Sequence, residues 1–276
     1  MMTDTTHLDR LSDLPILFSP LAIDRLPASQ KIAIANIDAI LPQTQCGLCG
    51  HHDGCLPYAY GIVINGEPTN LCVPGGQAVS DQIASLQQST YLPATPSKHP
   101  IDEHTNRPIE MRAVIDESSC IGCTKCIPAC PVDAIIGTAK HMHSIINELC
   151  TGCELCIAPC PVDCISLVPY PRTLTDKERQ NEQTHLRIRY HRHLGRMTKT
   201  IETGDKPVVS TIESAIANVL SGEQTAIDET TAKNTILAAK LRTQIKKLTK
   251  QLAVRDDAAL QEQLNHLTQQ LNALSP

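Results

Sequence analysis

Large aromatic side chains are nearly missing from this chain: Phe, Trp and Tyr make up 2% of its 276 residues, with one Phe and no Trp. Such side chains ordinarily dominate core burial, so another material must fill part of the interior. Long hydrophobic runs are missing too. Within residues 1–27 the only apolar stretch, Leu14-Pro15-Ile16-Leu17-Phe18, is too short for a signal-peptide core or a membrane span. No G-x-G-x-x-G run follows a candidate strand and no nucleophile stands paired with a base, so no catalytic residue is assigned. A formal net charge of −5 goes with an expectation of no nucleic-acid partner. At 30.1 kDa there is room for two or three small domains.

Cysteine is what the chain has in quantity, 13 in all. The odd count and the lack of an export signal argue against a disulfide framework. Clustered C-x-x-C spacing points instead to metal in a reducing cytosol. Residues 120–135, CIGCTKCIPACPVDAI, return as residues 150–165, CTGCELCIAPCPVDCI, identical at 10 of 16 positions with all four cysteines in register. C-x2-C-x2-C wraps three thiolates around one face of a [4Fe–4S] cube, and the C-x3-C-P continuation sends the fourth to the other copy's cube. Cys120, Cys123, Cys126 and Cys160 would then hold one cube, and Cys130, Cys150, Cys153 and Cys156 the other. Gly122 and Gly152 let backbone pass close to each cube. Pro131 and Pro161 turn the chain after the donated cysteine. Zinc prefers paired C-x2-C with longer gaps, a poor match to a third cysteine two residues on. In a sixty-residue domain, two such cubes would be the missing core.

Cys46, Cys49, Cys55 and Cys72, with Gly47, Gly50 and Gly54 among them, would suit a further cube, although zinc accepts the same four sulfurs. Cys164 takes the place of Ala134 in the other copy and reads as a small buried thiol. His51 and His52 lie inside a loop whose four thiols already complete a site. His141 and His143 read as turn or strand-edge residues, and His191-Arg192-His193 as a solvated stretch.

The charge is unevenly spread. Residues 101–170 hold nine acids against four bases, and residues 171–200 eight bases against three acids. Thr175 and Glu178 form a capping-box signature opening a helix. On it Leu186, Tyr190, Leu194, Met197 and Ile201 share one face, largely apart from Arg187, Arg189, Arg192, Arg196 and Lys199. That stripe either packs on the cysteine-rich repeat, with the bases balancing its acids, or lies in an anionic membrane interface.

The order LPQTQCGLCG, GCLPYA, CVPGG, then CIGCTKCIPACPVDAIIG and LCTGCELCIAPCPVDCI, over about residues 28–170, closely resembles the B subunits of the Rnf complex, the bacterial ion-translocating ferredoxin:NAD oxidoreductase. The resemblance implies that Cys46, Cys49, Cys55 and Cys72 bind a [4Fe–4S] cluster, for three in all. It also implies a protein that relays electrons among a soluble donor, other clusters and membrane flavoproteins. Two departures stand out. The family begins with a transmembrane helix that is not seen here, and the Cys49-x5-Cys55 loop is one residue longer than usual.

The expected fold class is α+β, with a small, mostly helical four-cysteine domain, a bacterial two-[4Fe–4S] ferredoxin-like domain and an α-helical C-terminal extension. The boundaries expected are an N-terminal segment 1–27, the four-cysteine domain 28–90, a Pro-rich linker 91–109, and the ferredoxin domain 110–170. After these come the basic amphipathic helix 171–203, a linker 204–227 and a helical hairpin 228–276. The expected function is electron relay through three [4Fe–4S] clusters, the alternative an iron–sulfur redox sensor or cluster scaffold. The chain would be an electron carrier within a ferredoxin:NAD oxidoreductase, with chemistry on NAD belonging to a partner. Redox proteins are the expected partners: Rnf-type membrane subunits, flavoproteins or a soluble ferredoxin. The expected location is cytoplasmic, with at most peripheral contact on the cytoplasmic face of the inner membrane.

Overall fold

The computed structural model describes residues 7–204 and 211–221, positions 241, 245, 248–249 and 252, and residues 258–273. It is helical with three small two-stranded antiparallel sheets among the described residues.

Helix α1 (Ala28–Ile40) buries Ile34 and Ile37 on the face that helical spacing predicts. It stops where Pro42 forces the preceding Leu41 into an extended conformation, φ −61 and ψ 141. The chain then loops through Cys46 and Cys49 into the short helix α2 (Cys55–Tyr60), which continues as a π-helical turn over Gly61–Asn65. Helix α3 (Gly76–Gln87) closes the unit, burying Val79 and Ile83. Their core also takes Leu17, Phe18 and Ile23 from the last two of three short 3-10 turns that precede α1. The N-terminal apolar run is therefore core, and it holds the chain's one Phe.

The Pro-rich stretch is tied down along its length. Gln77 bonds the Leu92 carbonyl and the Ala94 amide, and the Asn70 carbonyl accepts from the Thr95 amide. Strands β1 (Ile101–Asp102) and β2 (Arg107–Pro108) form a small hairpin within it.

In the repeat, β3 (Met111–Ile115) leads into the first cassette and β4 (Ile135–Ile136) leaves it. Likewise β5 (Ser144–Ile145) precedes the second cassette and β6 (Ile165–Pro169) follows it. Pairing crosses between the copies: β3 lies antiparallel to β6 with Ala113 opposite Leu167, and β4 to β5 with Ile135 opposite Ile145. The first cassette carries a short helical turn, α4 (Cys126–Ala129), and the second copy has only turns there. Cys130 precedes Pro131 and is extended, at ψ 110, which ends the helix.

Helix α5 (Asp176–Thr203) starts at a complete capping box made by Thr175 and Glu178 and ends at Gly204 in the left-handed region. Its apolar stripe corrects the expectation that it covers the repeat. Tyr190, Leu194 and Met197 are buried in the four-cysteine domain's core, and only Leu186 joins the core of the repeat. With the stripe covered, it has no apolar face to lay into a membrane.

The His191-Arg192-His193 stretch is not solvated as a whole either. His193 is buried, and burial beside Arg187 holds His191 down to about 4. The stretch expected as a linker contains helix α6 (Thr211–Ser221), whose Ile212, Ile216 and Leu220 recur every four residues and pack on the same core. Of the expected terminal hairpin, the second arm is helix α7 (Ala258–Ala273), while the joining turn and most of the first arm lie outside the described residues. Among the described residues no helix is long and apolar enough to cross a membrane.

Candidate metal centres

The two copies of the repeat put their cysteine loops in one conformation. Asp133 and Asp163 both have φ 51, and Gly122 and Gly152 have φ 63 and 66. A Cβ on Gly122 would stand 2.5 Å from the His141 amide nitrogen, and one on Gly152 would stand 2.3 Å from the Met111 carbonyl oxygen. Only glycine fits either position.

Beneath each loop is a small cavity walled by sulfur. One is lined by Cys150, Cys153 and Cys156 together with Cys130 of the other copy. The other is lined by Cys120, Cys123 and Cys126 together with Cys160. The crossed strand pairing has a direct consequence here. Because β4 runs beside β5, and β6 beside β3, each cassette's last cysteine is carried over to its neighbour's loop.

Main-chain amides already point at these sulfurs. The Ala134 amide donates to Cys130 Sγ at 3.1 Å, and the Ala113 amide to Cys150 Sγ at 3.4 Å. Burial, reinforced by neighbouring cysteines, pushes the Cys126 thiol up to about 11 and the Cys156 thiol up to about 12. Burial likewise raises Cys130 and Cys153. Four thiolates in so confined a place repel one another and require a cationic core between them. Among the described residues no three His, Cys, Asp or Glu side chains close on a point to hold a single ion. The cysteines of each site line a small cavity. The donor set and its spacing fit an iron–sulfur cluster.

The four-cysteine loop is held from below by a buried polar chain. Asp38, 0% exposed, accepts from Arg10 at 2.9 Å, from Arg187 of α5 at 3.0 Å and from Gln43 at 3.0 Å. Gln45 donates to Gln43 and accepts from the Cys55 amide at 2.8 Å. Tyr190 of α5 donates to the Asp53 carbonyl within the same loop at 2.8 Å. Burial raises Cys55 and Cys72, and in both the nearby Cys46 adds to the rise. Burial also raises Cys49, again with Cys46 beside it. His51 is engaged elsewhere: its Nε2 meets Glu67 at 2.7 Å.

The four-cysteine loop and the second cassette touch. Thr151 donates to the Thr44 carbonyl at 3.2 Å, and Cys46, Cys150 and Cys153 line one cavity of about 320 Å³ between the domains. Helix α5 braces this arrangement from both sides. Besides its bonds to Asp38 and Asp53, Arg189 donates to the Val132 carbonyl, and His193 and Arg196 both pair with Asp133. Near its start Arg172 and Arg179 converge with Arg112 on Glu110.

Three features escaped the reading of the sequence. Asp38 looks like an ordinary helix residue, and nothing local links it to Arg10 or Arg187. His143 stands at the edge of β5 as expected, but it is 1% exposed and its Nδ1 lies 3.4 Å from Cys126 Sγ. Cys164 is buried as expected, but it also sits 3.5 Å from Cys160 Sγ.

Comparison with known proteins agrees with this chemistry. A family model described as "4Fe-4S dicluster domain" matches residues 113–167, and one described as "Putative Fe-S cluster" matches residues 41–74. The B subunit of the ion-translocating oxidoreductase complex of Klebsiella pneumoniae is 54% identical over 149 residues, 54% of this chain and 74% of the relative. The protein of the same name from Cronobacter sakazakii is 49% identical over 162 residues, 58% of this chain and 81% of the relative. The chain belongs to this family of B subunits. A third member, from Salmonella typhimurium, is 51% identical over 149 residues, 54% of this chain and 74% of the relative. No solved structure matches the chain. Like the family it resembles, the chain is an iron–sulfur electron-transfer protein of the Rnf type.

Proposed function

We propose that the chain relays electrons through three [4Fe–4S] clusters. One would be held by Cys46, Cys49, Cys55 and Cys72, one by Cys130, Cys150, Cys153 and Cys156, and one by Cys120, Cys123, Cys126 and Cys160. The observation that carries this reading is the lining of the two cavities, three cysteines of one cassette and the fourth of the other in each. Each cluster, when bound, supplies a reversible one-electron couple whose potential depends on hydrogen bonds to its sulfurs and on solvent exposure. The chain's own residues hold the thiolates apart, aim the Ala113 and Ala134 amides at them and shield them with aliphatic side chains.

The Thr151–Thr44 contact supports an order for the relay. The four-cysteine site adjoins the site of the second cassette, which in turn shares the repeat's core with the site of the first. The ferredoxin-like description of the repeat rests on the same crossed strands and cassettes. The names of the relatives suggest where the current goes: into an ion-translocating oxidoreductase complex, with this chain docked on its other subunits. The chain would then sit at the periphery of a membrane assembly, exchanging electrons with flavoprotein subunits or a soluble ferredoxin.

The test is iron and acid-labile sulfide in anaerobically purified protein. About twelve of each per chain are expected from three cubes of four. Cys72→Ser should lower both to about eight while both ferredoxin-type EPR signals persist. Iron near eight in the unmutated protein, accompanied by one zinc, would sink the N-terminal cluster. Cys130→Ala should damage the cube of the second cassette, and loss of the first cassette's cube instead would overturn the crossed ligation.

A further inference from the structure

The two cluster sites are related residue by residue at an interval of thirty, so their differences can be read directly. In the site of Cys130, Cys150, Cys153 and Cys156, the wall includes Ala113 and Ala134. In the site of Cys120, Cys123, Cys126 and Cys160, the same places are taken by His143 and Cys164. One cavity thus has an imidazole where the other has a methyl group.

The imidazole is built in rather than merely fitted. His143 is 1% exposed, and its Nε2 is buried with no hydrogen-bond partner. The contact of Nδ1 with Cys126 Sγ, at 3.4 Å, is the ring's polar interaction. Burying an unpaired ring nitrogen is costly, so an apolar side chain would serve simple packing better. The main chain also makes room for the ring. A Cβ on Gly137 would stand 2.0 Å from His143 Cδ2, and the matching position in the second copy is Leu167.

We propose that His143 sets the reduction potential of the cube held by Cys120, Cys123, Cys126 and Cys160, by donating its Nδ1–H to the Cys126 thiolate. The inference rests on the ligand reading above. A ligating thiolate carries no proton and can only accept, so the proton of this bond belongs to Nδ1. One-electron reduction adds a negative charge to the cube and takes up no proton in this scheme. A donor on a ligand sulfur therefore favours the reduced form and raises the potential. The other cube has the Ala134 and Ala113 amides on Cys130 and Cys150. The effect of His143 is accordingly confined to one cube, not a ranking of the two. His143 is a positioning residue: it touches a ligand, not the electron's donor or acceptor.

The experiment is an anaerobic, mediator-buffered dithionite titration of the full cluster-loaded chain, followed by EPR. His143→Ala should lower the reduction equilibrium of one ferredoxin-type cube at least tenfold, about 59 mV for one electron, with iron content unchanged and the other signals unmoved. His143→Asn, which offers an N–H close to the Nδ1 position, should recover most of the shift. Equal potentials in the parent and in a fully loaded His143→Ala would overturn the proposal. Should His143→Ala fail to retain the cube, the unmutated protein labelled with 15N-histidine decides. Pulsed EPR of the reduced state should show coupling to a ring nitrogen, and none would overturn the assignment. Absence of two ferredoxin-type signals in the unmutated protein is a separate result, and would overturn the ligand reading and this one with it.

Discussion

The four-cysteine domain and the dicluster repeat solve the shortage of aromatic residues in opposite ways. The first gathers most of the bulk available. Phe18, Tyr58 and Tyr190 join Ile34, Ile37, Leu56 and Ile83 in one aliphatic core, and its cysteines lie at the edge of that core or just inside it. Among the described residues, the core of the repeat has no Phe, Tyr or Trp. Its buried set is Ala113, Val132, Ala134, Ile135, Ile165 and Leu186 together with Cys126, Cys130, Cys156, Cys160 and Cys164. The first domain borrows apolar surface from α5 and carries its cysteines on that surface. The second has cysteines as nearly half of its buried core. Cysteine count alone therefore does not say how far a fold depends on its metal; what the sulfurs replace in the core does.

The sharpest way to break this comparison is to remove the iron. Anaerobic chelation should abolish amide protection in β3–β6 and β4–β5, because so small a unit is marginal without its metal. The amides of α1 and α3 should keep most of their protection, as read by hydrogen exchange with mass spectrometry. Equal loss in both regions would mean that the four-cysteine domain has no independent core.

A smaller but still large effect should come from Asp38→Ala. It leaves the buried guanidinium groups of Arg10 and Arg187 without their shared carboxylate. Breaking a buried pair from one side typically costs about 3–5 kcal/mol. The loss should appear in urea unfolding of the four-cysteine domain, while the EPR signals of the repeat remain. A change below about 1 kcal/mol would show that the site relaxes or hydrates easily.

The smallest effect concerns the strap between the two regions. Burial works to raise Glu110, but Arg172, Arg179 and Arg112 hold it below its ordinary 4.5. Burial also opposes the His193 and Arg196 bonds on Asp133, which hold it below its ordinary 3.8. A carboxylate with a depressed pKa contributes stability above its unfolded value, and loses that contribution as pH falls through the folded one. Both groups are partly exposed, so each contributes about 1 kcal/mol or less. Protection of α5 should therefore fall as pH drops below about 4.5, and Glu110→Gln should show a smaller change over the same range. Comparison of the two proteins separates this response from acid loss of clusters. Identical profiles would remove Glu110 from the strap.

Much of this was legible in local sequence. The cassettes, the glycines that let backbone approach them, the capping box at Thr175 and the stripe on α5 all depend on residues within a few positions of one another. Over such distances covalent geometry and helical periodicity leave few alternatives, and the sequence by itself determined the kind of ligand and the start and face of α5. Which surface that face would cover was decided elsewhere. Tyr190 and Leu194 could have closed on either domain. They lie on the four-cysteine core because Asp38, Arg10 and Arg187 must be buried together, and because the arginines and histidine on the flank find Asp133 and Val132.

His143 was decided in the same manner. Seventeen residues separate it from Cys126, and only the pairing of β4 with β5 and the space left by Gly137 bring the imidazole to the sulfur. Spacing along a chain determines what a loop can hold. Where two loops meet, and which side chain is buried between them, depends on long-range pairing and on buried charges having to find partners, and these exist only in the folded molecule.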